Sequence, residues 1–138
     1  MATLIFVNLP VKDLDRSVAF FTRLGFTFNP QFTDENATCM VISDTIYVML
    51  LVEKFFKTFT KKEISDATKT TEAIVSLMMD SREQVDELAD QAMLAGAKPS
   101  AQLEEMPGMY ARNFEDLDGH LWEVGWMDMN AMTQVDNE

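Results

Sequence analysis

The chain has 138 residues, 47% hydrophobic and 25% charged, with a formal net charge of −12; that length fits one domain with enough apolar side chains for a sizeable core. The negative charge argues against nucleic acid or anionic lipid as a partner, because like charges repel phosphate groups. No stretch approaches the roughly 20 apolar residues of a membrane-spanning helix. The lone Cys39 cannot close an internal disulfide, and the apolar run ATLIFVNLP is too short for a secretion signal, so a reducing, cytoplasmic setting is expected.

Residues 3–9 (TLIFVNL) are rich in strand formers and stop at Pro10, which predicts a strand. Asp13 caps a helix running through DRSVAFFTRL, with Leu14, Val18, Phe21 and Leu24 on one face and Gly25 as the stop. Three strands are expected next, at 26–32 (weakened by Pro30), 38–43 and 46–52. Another begins at 72–79 (EAIVSLMM). Ser81 and Gln84 then make a capping-box pattern ahead of a helix with Val85, Leu88, Ala92 and Ala95 on one face, ending at Gly96. Further strands are expected at 97–103, 109–115 and 120–127.

The order is therefore strand, helix, three strands, and the same again, an α+β pattern of two tandem βαβββ modules. A shift of 68 residues carries Phe6 onto Ile74 and Leu9 onto Leu77; a shift of 74 carries Asp44 onto Asp118 and Met49 onto Glu123. The modules span 3–52 and 72–127, within one domain at 1–127. Between them lies a basic, Phe- and Thr-rich connector at 53–71, which holds five of the eleven Lys and Arg residues. It reads as a solvated linker with one helical turn packing Phe55, Phe56 and Phe59; a lid or a partner-contact surface are the sharper readings. The tail 128–138 is expected to fray.

With VNLPVKDLDRSVAFF early in the first module and EDLDGHLWEV late in the second, this duplicated chain resembles the vicinal oxygen chelate superfamily of glyoxalases, bleomycin-resistance proteins and extradiol dioxygenases. It looks most like the lactoylglutathione lyase-related subgroup. The resemblance implies that the modules form a curved mixed sheet around a cavity, in which glyoxalase-type members hold a divalent metal on their first and fourth strands. Carried over by position, those ligand sites are Phe6, Met49, Ile74 and Glu123. Phe and Ile offer no lone pair, and a Met thioether is too soft for zinc, nickel or magnesium. The implied metal site is incomplete, and no cofactor is expected.

The chain's one histidine, His120, lies close to Glu123. Strand alternation puts positions 120, 122, 124 and 126 on one face and 121, 123, 125 and 127 on the other, so the two do not form a ligand pair. His120, after Gly119, belongs at the strand mouth, solvated or bonded to the turn. Trp122, Val124 and Trp126 suit packing under a helix, while Gly125 would leave space beside the Glu123 carboxylate. The same parity places Phe6, Asn8, Tyr47, Met49, Leu51, Glu72, Ile74, Ser76 and Leu121 with Glu123 on cavity-facing positions. That row is an apolar wall with a few polar groups, suited either to a small-molecule pocket or to plain core filling. Glu72 reads as solvated or as a displaced acid beside Glu123. Tyr110 and Arg112 could reach an anionic ligand at the cavity mouth. Cys39 reads as a buried, inert thiol.

Two functions fit. The first is a metal-free small-molecule binding protein, homodimeric by the resemblance. The second is a glyoxalase-like lyase or isomerase with Glu123 as catalytic base and a displaced divalent metal.

Overall fold

In the computed structural model, which describes residues 2–101, 106–128 and 130, the strand, helix and three-strand unit occurs twice. The first copy runs β1 (Ile5–Val11), α1 (Leu14–Arg23), β2 (Thr27–Asn29), β3 (Ala37–Val41) and β4 (Ile46–Val52). A helical turn follows at α2 (Glu53–Phe56), continued by a 3-10 turn at Lys57–Phe59. The second copy runs β5 (Ile74–Met78), α3 (Arg82–Leu94), β6 (Lys98–Pro99), β7 (Met109–Glu115) and β8 (Leu121–Met127). The chain divides into two compact units, Met1–Asp66 and Ala67–Glu138, so the boundary falls inside the predicted connector. The longest helix, α3, has 13 residues, and no helix among the described residues is long and apolar enough to cross a membrane.

Each unit holds a four-stranded sheet, in the order β1-β4-β3-β2 in the first and β5-β8-β7-β6 in the second. In both, the module's first strand pairs in parallel with its last, and the remaining pairings are antiparallel. The register reproduces the internal repeat. Asn8 faces Met49 across β1 and β4, and Ser76 faces Glu123 across β5 and β8, which are the same pair moved by 68 and 74 residues. Cys39 opposite Met49 and Asn113 opposite Glu123 repeat the shift of 74.

One face of each sheet is covered by its helix. In the first unit α1 packs against β4; Phe20, Phe21 and Leu14 from the helix and Val11, Val48 and Leu50 from the strands are buried. The buried helical face also takes Ser17 and Phe20, while the expected Val18 is only half-buried. In the second unit α3 packs against β7 and β8, with Val85, Leu88, Ala89 and Ala92 turned toward the buried Phe114, Trp122 and Val124. Ala95 closes that helix as its cap and is half-buried. Removing a side chain of this size from water stabilises the fold by roughly 1.5–3 kcal/mol.

The helix ends follow the predicted chemistry. The Asp13 carboxylate accepts from the Arg16 amide at 3.1 Å, and the Ser81 hydroxyl accepts from the Gln84 amide at 3.2 Å. Gln84 reaches back to accept the Asp80 amide at 2.9 Å, one residue before the usual capping-box donor. Replacing Ser81 with alanine leaves the Gln84 amide without its side-chain acceptor and is expected to lower stability by about 1 kcal/mol in urea unfolding.

Several predicted strands differ in extent. β1 continues through Pro10, which is tolerated because β1 is the terminal strand of its four-stranded sheet and Pro10 has no amide to offer a neighbour. The strand expected at 26–32 stops at Asn29, where Pro30–Phe32 turns into a 3-10 helix capped by the Asn29 side chain at 2.9 Å. The strand expected at 97–103 is reduced to Lys98–Pro99, and 102–105 lie outside the described residues. So does most of the tail at 128–138, of which Asp128 and Asn130 are described. In the connector, Phe55 and Phe59 meet edge to face at 5.1 Å, and Phe59 is 69% exposed.

Candidate functional site

The faces turned away from the helices hold the residues singled out by strand parity, Glu72 excepted, each within its own unit. In the first unit, the register puts Phe6 with Tyr47 and Asn8 with Met49. The Phe6 and Tyr47 rings stack at 4.8 Å and 15°. The Tyr47 hydroxyl is tied back to the Asp44 carbonyl at 2.9 Å, and the Asn8 amide donates to the Phe6 carbonyl at 3.4 Å. Phe6 is 45% exposed and Met49 half-buried, whereas Leu51 is buried. The result is an aromatic shelf with a thioether and an amide beside it. Cys39 shares this face opposite Met49 and is buried; burial raises its thiol pKa and keeps it protonated.

In the second unit, the corresponding face carries Ile74 opposite Leu121, Ser76 opposite Glu123 and Met78 opposite Gly125. β7 adds Glu115, Asn113, Ala111 and Met109, opposite Leu121, Glu123, Gly125 and Met127. Ile74 is 57% exposed. The space expected at Gly125 is filled: a Cβ there would stand 3.0 Å from the Met78 Cε and 3.3 Å from its sulfur. Glu72 lies in a bend before β5 and is exposed, so strand alternation no longer places it beside Ile74. Strand alternation had already put position 127 on this face, whereas the thioethers of Met78 and Met109 escaped the sequence reading.

His120 stands just before β8, in a turn organised by Asp116. The Asp116 carboxylate accepts from the Asp118 amide at 2.9 Å, the His120 amide at 3.0 Å and the Trp122 indole at 2.9 Å. Asp116 is 4% exposed. Burial raises its pKa, opposed by the charge of His120 and by its hydrogen-bond donors. The histidine thus belongs to the turn. The sequence signal for Asp116 was an Asp placed two and four residues ahead of the amides that it binds.

Tyr110 and Arg112 turn to the opposite face, toward α3, and away from Glu123. The Tyr110 hydroxyl donates to Asp86 at 2.5 Å. Arg112 pairs with Asp86 at 3.2 Å and Asp90 at 2.8 Å. Arg82 lies over the Tyr110 ring at 4.5 Å and within 6.0 Å of the Trp126 ring. The Tyr110 hydrogen bond and the Arg112 charge lower the Asp86 pKa, with desolvation opposing them. These contacts clamp the helix to its sheet and leave neither residue for an anionic ligand on the Glu123 face.

The four positions of the implied metal site do not fit a divalent ion. Phe6 and Met49 in the first unit and Ile74 in the second supply no carboxylate, imidazole or thiolate, which leaves Glu123 alone. Among the described residues no three His, Cys, Asp or Glu side chains are grouped to hold a metal.

A family profile described as bleomycin resistance protein-like N-terminal matches residues 3–43. A hypothetical protein from S. aureus shares 30% identity over 91% of this chain and 95% of its own, with a TM-score of 0.75. An enzyme of the glyoxalase/bleomycin resistance protein/dioxygenase family from Burkholderia phytofirmans shares 16% identity, covering 92% of this chain and all (100%) of its own, with a TM-score of 0.74. A fosfomycin resistance protein from Listeria monocytogenes, solved with Mn(II) and sulfate, shares 17% identity over 99% and 98% of the two chains, with a TM-score of 0.72. Comparison with curated proteins finds no match. The last two likenesses bear on the fold alone.

Proposed function

The chain belongs to the vicinal oxygen chelate superfamily of glyoxalase, bleomycin resistance and dioxygenase proteins, and from that premise we propose that it is a metal-free small-molecule binding protein. We take 1–127 as one such domain, with modules at 3–52 and 72–127 and a connector at 53–71. The observation that carries the reading is the exposure of apolar side chains on faces turned away from the helices. Phe6 and Tyr47 offer a flat aromatic shelf, and Ile74, Leu121 and Met78 an aliphatic one around Glu123. A mostly apolar surface with a few fixed polar groups suits an aromatic or aliphatic ligand. The same exposed strands, with β1 and β5 at the ends of their sheets, support assembly as a homodimer, here proposed for the cytoplasm.

The test is elemental analysis of purified protein together with mass spectrometry of what co-purifies. The proposal expects no stoichiometric transition metal and an organic molecule retained by the chain. Phe6→Ala should weaken binding of the fluorescent probe 8-anilinonaphthalene-1-sulfonate by about tenfold, in line with the loss of one aromatic contact to the probe. The competing reading is a lactoylglutathione lyase-related enzyme acting through Glu123. Turnover of methylglyoxal and glutathione after addition of nickel, zinc or manganese, abolished in Glu123→Gln, would establish it and sink the binding-only proposal.

A further inference from the structure

Glu123 is a half-buried carboxylate for which the described residues supply no hydrogen-bond donor and no counter-charge. The neighbours set by the register do not answer it. Across β7, the Asn113 amide donates to the Ala101 carbonyl; across β5 stands the exposed Ser76. Leu121 and Gly125 lie two residues away on the same strand face. β5 and β8 contain no Lys, Arg or His. Of the two basic residues in the second sheet, Arg112 is held by Asp86 and Asp90 on the helix side, and Lys98 lies two strands away, opposite Glu115. Glu115 thus adds a second carboxylate to the Glu123 face. A carboxylate partly withdrawn from water without a partner is unfavourable, so the surface is preset for a cation.

The character of that cation follows from the donor set. A divalent metal needs several ligands held around it, and Glu123 is alone at the inherited positions. An ammonium or guanidinium group needs one carboxylate and brings its own hydrogen bonds. Beside Glu123, Met78 packs over Gly125, and Met109 lies opposite Met127 at the same end of the face. Thioethers are polarisable, adapt their rotamers and make favourable contacts with aromatic rings. A net charge of −12 further raises the local concentration of cations.

We propose that this face selects organic cations, with an ammonium or guanidinium group against Glu123 and an apolar or aromatic body on Met78, Met109 and Met127. The inference rests on the reading of the face as a ligand site and names the ligand class. Glu123, the one carboxylate at the four positions that the resemblance implies, becomes the group that reads charge.

The test uses the full chain and three probes of one shape: 1-naphthylmethylamine, 1-naphthalenemethanol and 1-naphthoate. Titration calorimetry should find the ammonium bound on the order of tenfold tighter than the alcohol, the increment of one charge-assisted hydrogen bond, and the carboxylate weakest. Methyl resonances of Met78, Met109 and Met127 should shift with the amine. Glu123→Gln should abolish the preference for the amine over the alcohol. Equal binding of amine and alcohol, with the methionine shifts present, would overturn charge selection while leaving the ligand face standing. An amine preference that survives in Glu123→Gln would overturn the role of that carboxylate. Failure of all three probes to bind or to move the methionine signals would remove the ligand-face reading itself.

Discussion

Replacing Gly119 with alanine is expected to destabilise the second unit by about 3–4 kcal/mol, a large effect for one methyl group. Two costs combine. Gly119 has φ of +91°, a conformation that costs an L-residue roughly 1–2 kcal/mol. A Cβ there would also stand 2.8 Å from the Thr68 amide nitrogen and 2.9 Å from the carbonyl carbon and oxygen of Ala67. Those are backbone atoms, so no rotamer change relieves the overlap; the segment at 67–68 or the turn ahead of β8 must move. Gly25 provides the control, because its φ is +102° but nothing lies within 4 Å of its Cβ position. Gly25→Ala should therefore show the conformational cost alone, about 1–2 kcal/mol. Urea unfolding of the two variants measures the difference. Equal losses would mean that the connector yields freely at 67–68.

The second large effect is expected at Asp116, whose replacement by alanine should cost about 2–4 kcal/mol, because a buried indole N–H and two backbone amides lose their acceptor together. Trp122 is 1% exposed, so water does not replace the lost partner. Asp116→Asn separates the contributions. Its carbonyl oxygen can still accept from Asp118 and His120, while its amide opposes the Trp122 N–H, and a loss of about 1–2 kcal/mol is expected for that one broken bond. The sign of the pH dependence follows from the raised pKa of Asp116. The folded value lies above the unfolded one, so the contribution is full below the ordinary carboxylate pKa of about 3.9 and is lost as pH rises through the raised value. Asp86 behaves oppositely: its lowered pKa gives a contribution present above the ordinary value and lost as acid protonates it. The stability of the parent protein relative to Asp116→Asn should therefore fall as pH rises from about 4 toward neutrality. A difference independent of pH would show that burial does not raise the Asp116 pKa.

These two substitutions act on one structural chain that leads to the candidate site. The Asp116 carboxylate and the Gly119 turn hold the entry to β8, and β8 carries Glu123 four residues after Gly119. A one-residue slip in the β8 pairing would send Glu123 to the helix side and Trp122 to the open face, since side chains alternate. The turn therefore protects the site as well as the fold. Arg82, Tyr110, Arg112, Asp86 and Asp90 serve the same register from the other face by fastening α3 to β7.

What the amino-acid order determined by itself was everything carried by local periodicity. The two βαβββ modules, the caps at Asp13 and Ser81, the strands at 46–52 and 109–115 and the opposite faces of Trp122 and Glu123 all depend on side-chain spacing within one element. The cross-strand register, which only the structure supplied, repeats the same shifts of 68 and 74 residues. That Phe6, Met49 and Ile74 carry no carboxylate, imidazole or thiolate was legible because it is a matter of residue type. Tertiary structure alone decided which groups satisfy one another. Tyr110 and Arg112 face α3 because Asp86 and Asp90 stand there, a pairing across 22 to 26 residues with no local signature. Met78 fills the place over Gly125 because β5 and β8 lie side by side. β1 survives Pro10 because its position at the sheet's end spares it one row of hydrogen bonds. Spacing along a chain dictates which face a side chain takes; only the packed neighbours dictate what it meets.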